Sequence, residues 1–232
     1  METTVLYDLA GADERQRWSP FCWRVKLALA HKRVPVSTVP WHYFQKEVLA
    51  PSMQGDIPRV PTMVENGRWL TDSWRIALHL DERYADRPAL FRGADGRRHA
   101  LFIKHWVESA LHPHLIRITL YDMYRRLHPL DQPYFRQSRE QRYGMSLEAF
   151  SADRATHVTA LRAALEPVRR TLGDAPFLGG EVPDFCDYLV VASLLWGAEA
   201  CQCELLDATD SVAAWRDRIL ARYDDVLKAF PC

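Results

Sequence analysis

Val5, Tyr7 and Leu9 recur at every second position near the start of the chain, the period of a strand with one covered face. The pattern changes at Ser19-Pro20. From Phe21-Cys22-Trp23 to Leu27-Ala28-Leu29-Ala30 the apolar residues run at helical spacing. The two residues ahead of them suit a helix start: Ser caps, and Pro fills the first position, where its missing N–H loses no bond. Arg59-Val60-Pro61-Thr62-Met63-Val64 is a short extended run, Asn66-Gly67 a hairpin signal and Trp69-Leu70 the returning run. Thr71, Asp72 and Ser73 then offer three competent caps to an apolar helix. The predicted order is strand, helix, strand, helix, then the Val-Pro strand, a hairpin and a capped helix.

Beyond Arg83-Tyr84-Ala85-Asp86-Arg87-Pro88 the strand signals stop, and Asp86 to Asp95 reads as a linker. Leu101, Ile103, Trp106, Val107, Ala110, Leu111, Leu115, Ile118 and Leu120 predict one long helix from Arg97 to Leu127, kinked at Pro113. Pro129 to Gly144 is polar and reads as turn-rich. Ala149 to Leu172 resumes the helical pattern through Val158, Leu161, Leu165 and Val168. Asp184 reads as the N-cap of the apolar run Leu189 to Trp196, while a carboxylate at Asp187 is poorly suited to a reciprocal capping box. One further amphipathic helix is predicted from Val212 to Tyr223. The second half is therefore all-α.

Composition narrows the function classes. Thirty basic and thirty acidic residues cancel, so no net field draws the chain to nucleic acid or an anionic membrane. Asp8, Asp13, Glu14 and Arg15 interrupt the first twenty residues, which argues against a signal-peptide core. No apolar run approaches the roughly eighteen residues that span a bilayer. The five cysteines, Cys22, Cys186, Cys201, Cys203 and Cys232, are odd in number and irregular in spacing, so a disulfide framework is not expected. Cys201-Gln202-Cys203 lacks the spacing and second pair of a zinc knuckle, and His112-Pro113-His114 has no accompanying ligand cluster. A reducing cytoplasm and no metal are the expectation.

The order of elements in the first half is that of a thioredoxin-like domain. Ser19 with Trp23-Arg24-Val25, then Val60-Pro61, then Asp72-Ser73, then Phe177-Leu178-Gly179-Gly180-Glu181-Val182-Pro183-Asp184-Phe185-Cys186-Asp187 stand in family-like order and spacing. On these motifs the chain resembles the cytosolic glutathione transferase family, over the first 85 or so residues most strongly. Ser19-Pro20-Phe21 with Trp23-Arg24 looks most like the bacterial β-aryl-etherase-related and fungal-like branch. The resemblance implies an α/β thioredoxin-like N-terminal domain over residues 1–86 and an all-α C-terminal domain over 95–232.

It also implies a site. Val60, before a cis Pro61, would pair its backbone with the cysteinyl part of glutathione. Asp72 and Ser73 would hold the γ-glutamyl end, carboxylate against ammonium and helix start against carboxylate. Gln45 and Lys46 would reach the glycyl carboxylate, with Trp41 and His42 nearby. A free thiol has a pKa of about 8.5. One hydrogen bond to its anion, worth roughly 1.5–3 kcal/mol, lowers that by about one to two units. Ser19 is the candidate donor, with the helix N-terminus assisting. As plain structure, Ser19, Asp72 and Ser73 are equally good helix caps. Cys22 completes a Ser-Pro-Phe-Cys run whose first cysteine is replaced, so a dithiol cycle is not available, and burial would make it inert.

The electrophile pocket would lie between the domains and draw on Phe21, Trp41, His112, Tyr121 and Tyr124, with the 129–144 segment as a flap and Arg136, Arg139 and Arg142 as a basic rim. Aromatic walls suit a hydrophobic, aryl-type electrophile. The resemblance thus implies attack of the glutathione thiolate on such an electrophile, β-aryl-ether cleavage included, and a homodimer. Two other readings stand beside it: a maleylacetoacetate-isomerase-like enzyme, and a non-catalytic binder of glutathione or hydrophobic ligands.

Overall fold

A computed structural model describes residues 4–52, 58–201 and 203–228. The first domain is thioredoxin-like: β1 (Thr4–Leu9), α1 (Pro20–His31), β2 (Ser37–Trp41), β3 (Thr62–Glu65), β4 (Arg68–Thr71) and α2 (Ser73–Arg83). Its sheet runs in the order β2-β1-β3-β4. β2 lies parallel to β1, and β3 pairs antiparallel with both β1 and β4. The hairpin between β3 and β4 turns on Asn66 and Gly67, at φ 50° and 81°, the left-handed pair a two-residue turn requires.

Two expectations change here. The segment between β2 and β3 holds no α-helix among the described residues but a 3-10 segment at Lys46–Ser52 with Pro51 inside it, where a missing donor interrupts α-helical bonding. In β1 the covered face is the even-numbered one. Leu6 and Asp8 are fully buried, whereas Val5 and Tyr7 are half-buried and Tyr7 stacks on Trp69 at 5.8 Å. Asp8 can face inward because Lys26 Nζ sits 2.5 Å from its carboxylate and Arg17 Nε 3.7 Å.

The second domain is helical: α3 (Gly93–Trp106), α4 (His112–Arg126), α5 (Gln132–Tyr143), α6 (Leu147–Phe150), α7 (Arg154–Ala164), α8 (Glu166–Asp174), α9 (Phe185–Ala200), α10 (Ser211–Arg222) and α11 (Asp224–Leu227). The long helix expected over 97–127 is divided by a π-helical turn at Val107–Leu111. Pro113 follows that turn and has no N–H to return to the carbonyl four residues back, so the chain widens instead of simply bending there. The 129–144 segment is mostly helix, not turn. Asp131 precedes it, Pro133 opens it, and Gly144 at φ 69° closes it in the left-handed conformation. Its low apolar content hid the helix. The 149–172 stretch is interrupted at Leu165, with Pro167 starting α8.

α1 and α9 are the cores of their domains and pack most extensively against each other. Both are covered on nearly every side: only Phe21 of α1 is substantially exposed, and nearly every residue of α9 is buried, so the charged side chains they carry need partners. Polar links fix this seam. His31 meets the hydroxyls of Tyr188 at 2.7 Å and Tyr223 at 3.1 Å through Nδ1, and the Pro88 carbonyl at 3.1 Å through Nε2.

The start of α9 departs from expectation. Asp184 caps Cys186 N at 2.8 Å, and Asp187 reaches back to Asp184 N at 3.0 Å, completing a reciprocal box. A carboxylate works here because it also accepts from Leu178 N, Gly179 N and Trp215 Nε1, at 2.8, 2.9 and 3.0 Å. Four donors converge on one buried acid. Burial nonetheless raises its pKa to about 6. At the other end of α9 a disulfide joins Cys201 and Cys203, whose Cα atoms lie 5.3 Å apart. The expectation of no disulfide framework must therefore admit one local bridge, which closes a single turn and staples no distant elements.

Candidate functional site

Ser19 stands where the chain leaves its extended path (φ −76°, ψ 117°) and enters α1. Its Oγ accepts from Cys22 N at 3.3 Å, so one lone pair is committed to the cap and the hydroxyl proton remains to be donated elsewhere. Three buried contacts hold the helix start in place. Trp23 Nε1 donates to the Arg17 carbonyl at 3.0 Å, Lys26 pairs with Asp8, and Arg24 reaches Glu108 of the π-helical turn at 3.0 Å. The Arg24 guanidinium lies 4.8 Å from the Phe21 ring centre, under the aromatic that follows Pro20. Cys22 is fully buried, and burial pushes its thiol pKa well up. It lies beneath the site and not in it.

Two hollows meet at this point. The first, about 880 Å³, is lined by Val60, Pro61, Thr71, Asp72 and Ser73, with Arg59, Arg68 and Arg75 on its wall. The Val60–Pro61 peptide bond is cis. Asp72 adopts φ 74°, ψ 122° and accepts from Trp74 N and Arg75 N at 3.1 and 3.0 Å. A non-glycine residue at such φ carries strain of the order of 1–3 kcal/mol, which the two capping bonds offset. Ser73 opens α2 directly behind it and is buried. The second hollow, about 570 Å³, contains Ser19 and runs between the domains. Phe21, Pro58, Arg59 and Val60 border both hollows. An anionic peptide lying in the first would thus end at the helix start that opens the second.

The structure sorts the expected residues. Val60, Pro61, Asp72 and Ser73 share the first hollow; Ser19, Phe21, Trp41, Lys46 and His112 share the second. His112 is held by Ser193 Oγ at 2.9 Å, and burial beside Arg24 lowers its pKa to about 3, so it is neutral. Its ring meets Phe21 edge-on at 5.9 Å and Trp196 at 5.5 Å.

Gln45 lies outside both hollows. Its side chain accepts from His42 N at 3.2 Å and its carbonyl from Trp41 Nε1 at 3.0 Å, a local turn that shapes the loop. Tyr121 and Tyr124 also lie outside, stacked on each other at 6.1 Å. At about 100° per residue, the strip of α4 that faces the cleft carries His112, Ile116 and Met123, which leaves Tyr121 on the far side and Tyr124 on the flank.

Not among the expected residues are Tyr43, Tyr134, Tyr143 and Trp196, all of which line the cleft. Read as a helix, the 132–143 segment would have placed Arg139, Arg142 and Tyr143 on one face by their three- and four-residue spacing. Among the described residues no group of three or more His, Cys, Asp or Glu gathers to hold a metal ion, and no helix is long and apolar enough to cross a membrane. His114 approaches His157 at 3.1 Å instead.

Comparison with known proteins decides the family. The family described as "Glutathione S-transferase, C-terminal domain" matches residues 99–230, more than half of the chain, and "Glutathione S-transferase, N-terminal domain" matches residues 16–88. The chain belongs to the glutathione S-transferase family. A glutathione S-transferase of Ceriporiopsis subvermispora, solved in complex with glutathione, superposes with a TM-score of 0.81 at 24% identity over 97% of each chain. The transferase GSTFuA3 of Phanerochaete chrysosporium gives 0.85 at 22% identity, covering 96% of this chain and 98% of its own. At these identities the likeness is one of fold. A probable maleylacetoacetate isomerase of Caenorhabditis elegans is 31% identical over 103 residues, 41% of this chain. The match spans 46% of that relative's length.

Proposed function

We propose that the protein binds glutathione in the first hollow and, as a transferase, directs its thiolate at a hydrophobic, aryl-type electrophile in the second. One observation carries this reading: the hollow with the cis Val60–Pro61 bond, Asp72 and Ser73 joins the interdomain cleft at the Ser19 hydroxyl. Asp72 would meet the ammonium of the γ-glutamyl end and Ser73, at the start of α2, its carboxylate. The Val60 backbone would run beside the cysteinyl unit as a one-residue sheet edge. Lys46, on the cleft wall, would take the glycyl carboxylate; Gln45 would act only through the loop it shapes. Ser19 then donates to the sulfur anion, and the partial positive charge of the α1 N-terminus adds to it. The sulfur attacks a carbon bearing a leaving group, which departs with the bonding electron pair as halide or as the phenolate of a cleaved aryl ether.

A second reading is favoured by the nematode relative: glutathione-dependent isomerisation of a maleyl-type acid. The proposal extends to a homodimer acting in the cytoplasm in the conversion of reactive aryl compounds, which sedimentation would check for its oligomeric part. The decisive experiment pairs retention on immobilised glutathione with turnover of a model β-aryl ether, a chloronitrobenzene and a maleyl acid. Retention with turnover of an aryl substrate supports the transferase. Retention without any turnover leaves a binder, turnover of the maleyl acid alone an isomerase, and no retention overturns the reading.

A further inference from the structure

The chain as a whole is electrically balanced, but its cleft is not. Lys46, Arg59, Arg139 and Arg142 line it, and among the described lining residues there is no carboxylate. Lys46 and Arg59 belong to the first domain, on the side where glutathione is placed. Arg139 and Arg142 come from α5, three residues apart and so on one face. Their neighbour Arg136 is the contrast. It is matched by Glu140 at 2.7 Å and Glu148 at 2.6 Å and stays out of the cleft.

The two cleft arginines have no such partners among the described residues. Arg139 touches only neutral groups: Ser138 Oγ at 2.8 Å, Tyr43 Oη at 3.3 Å and the Phe135 ring at 4.5 Å. Arg142 makes no hydrogen bond or ion pair with the described residues. Two guanidiniums on one helix face beside an aromatic wall repel each other, and an anion held by both offsets that repulsion. Guanidinium is also the group best shaped for a carboxylate, with two parallel N–H bonds. Around them Tyr134, Tyr143, Phe21 and Trp196 form the flat apolar surfaces on which a ring can lie.

We propose that the acceptor substrate is a planar aromatic carboxylate, its ring held among these side chains and its carboxylate held by Arg139 and Arg142. This deepens the transferase reading and rests on it. The carboxylate takes no part in the bond change: sulfur bonds to the carbon bearing the leaving group, that group leaves as an anion, and the thiol proton has already gone to solvent.

The test compares a chlorodinitrobenzoate with its methyl ester, a pair differing in one charge. Binding is read from quenching of tryptophan emission with the peptide hollow filled by unreactive S-methylglutathione; turnover with glutathione is followed in parallel. The acid is expected to bind at least about tenfold more tightly than the ester, and the preference to shrink as salt is added. In an R139Q/R142Q variant the acid-to-ester ratio should fall to near one, and R136Q should keep it. The single R142Q change, at an exposed position, should lower the ratio even if the double variant does not fold. Equal binding of acid and ester, or a preference that survives loss of both arginines, overturns the proposal. Turnover of both compounds without preference removes this inference and leaves the transferase. An acid preference without turnover of either removes the transferase and leaves the carboxylate site.

Discussion

Replacing Ser19 by Ala separates its two roles. As a cap it contributes one bond, Cys22 N to Oγ, which at 3.3 Å is slightly longer than usual. Its loss should cost about 0.5–1 kcal/mol, a small part of a stability of roughly 5–15 kcal/mol. As a donor to a bound sulfur anion, the same hydroxyl is worth about 1.5–3 kcal/mol. At about 1.4 kcal/mol per pKa unit, the thiol of bound glutathione should rise by about one to two units, back toward 8.5. Below the lower, wild-type thiol pKa the thiolate fraction falls about ten- to a hundredfold, and kcat/KM with it. The deficit should narrow as pH rises through the wild-type thiol pKa and close above the variant's. The assay is a pH titration of the thiolate ultraviolet absorbance of bound glutathione, beside kcat/KM for a chloronitrobenzene over the same range. Ser19→Thr, which keeps the hydroxyl and the cap, should restore most of both. A Ser19→Ala protein that folds, binds glutathione and shows an unshifted thiol pKa would refute the assignment.

Further outcomes are expected elsewhere in the molecule. Asp187→Ala leaves four N–H donors, two of them fully buried and two partly so, without their acceptor. At about 1–3 kcal/mol each the loss should reach about 4 kcal/mol or more in urea unfolding, and a loss below about 1 kcal/mol would contradict the role given to this carboxylate. His31 has a folded-state pKa lowered to about 4, mainly by burial, from an ordinary 6.5. The unfolded chain therefore binds more protons between those values. Its contribution to stability is complete above pH 6.5 and declines toward pH 4, by up to about 1.4 kcal/mol per pH unit. His31→Gln should flatten the pH dependence of stability in that window whatever it does at neutral pH, and an unchanged slope would exclude His31 as a source. Cys22→Ala removes a buried thiol that the cleft does not reach. Melting temperature should drop while the thiol pKa of bound glutathione stays put; a folded variant with abolished turnover would restore a chemical role to Cys22.

The fold was largely legible in the chain because its signals are local. Ser19-Pro20, Asn66-Gly67 and Asp72-Ser73 each specify a backbone state through their own side chains or through a proline ring or a left-handed φ, and no distant contact is needed to read them. The same holds for the helical second half, whose spacing shows in Leu161, Leu165 and Val168. Where local signals conflict with composition, the reading failed. α5 is polar over most of its length and its composition reads as turns, though Asp131, Pro133 and Gly144 bound it as a helix. The side-chain type of Asp187 argues against a reciprocal cap, but its acceptor role is set by Leu178, Gly179 and Trp215, the last 28 residues away.

By itself, then, the sequence determined β1, α1, the β3–β4 hairpin and α2 of the first domain, the helical character of the second, and the capped starts of α1, α2 and α9. Only the tertiary structure decided which face of each element meets the cleft. It turned Tyr121 and Tyr124 away, brought in Tyr134, Tyr143 and Trp196, sent Asp8 inward against Lys26, and left Arg139 and Arg142 without an acid partner among the described residues. The reason is physical. A helix cap is settled within a few residues, whereas the rotation of a helix depends on the sum of its contacts with other helices, and those contacts join residues far apart in the chain.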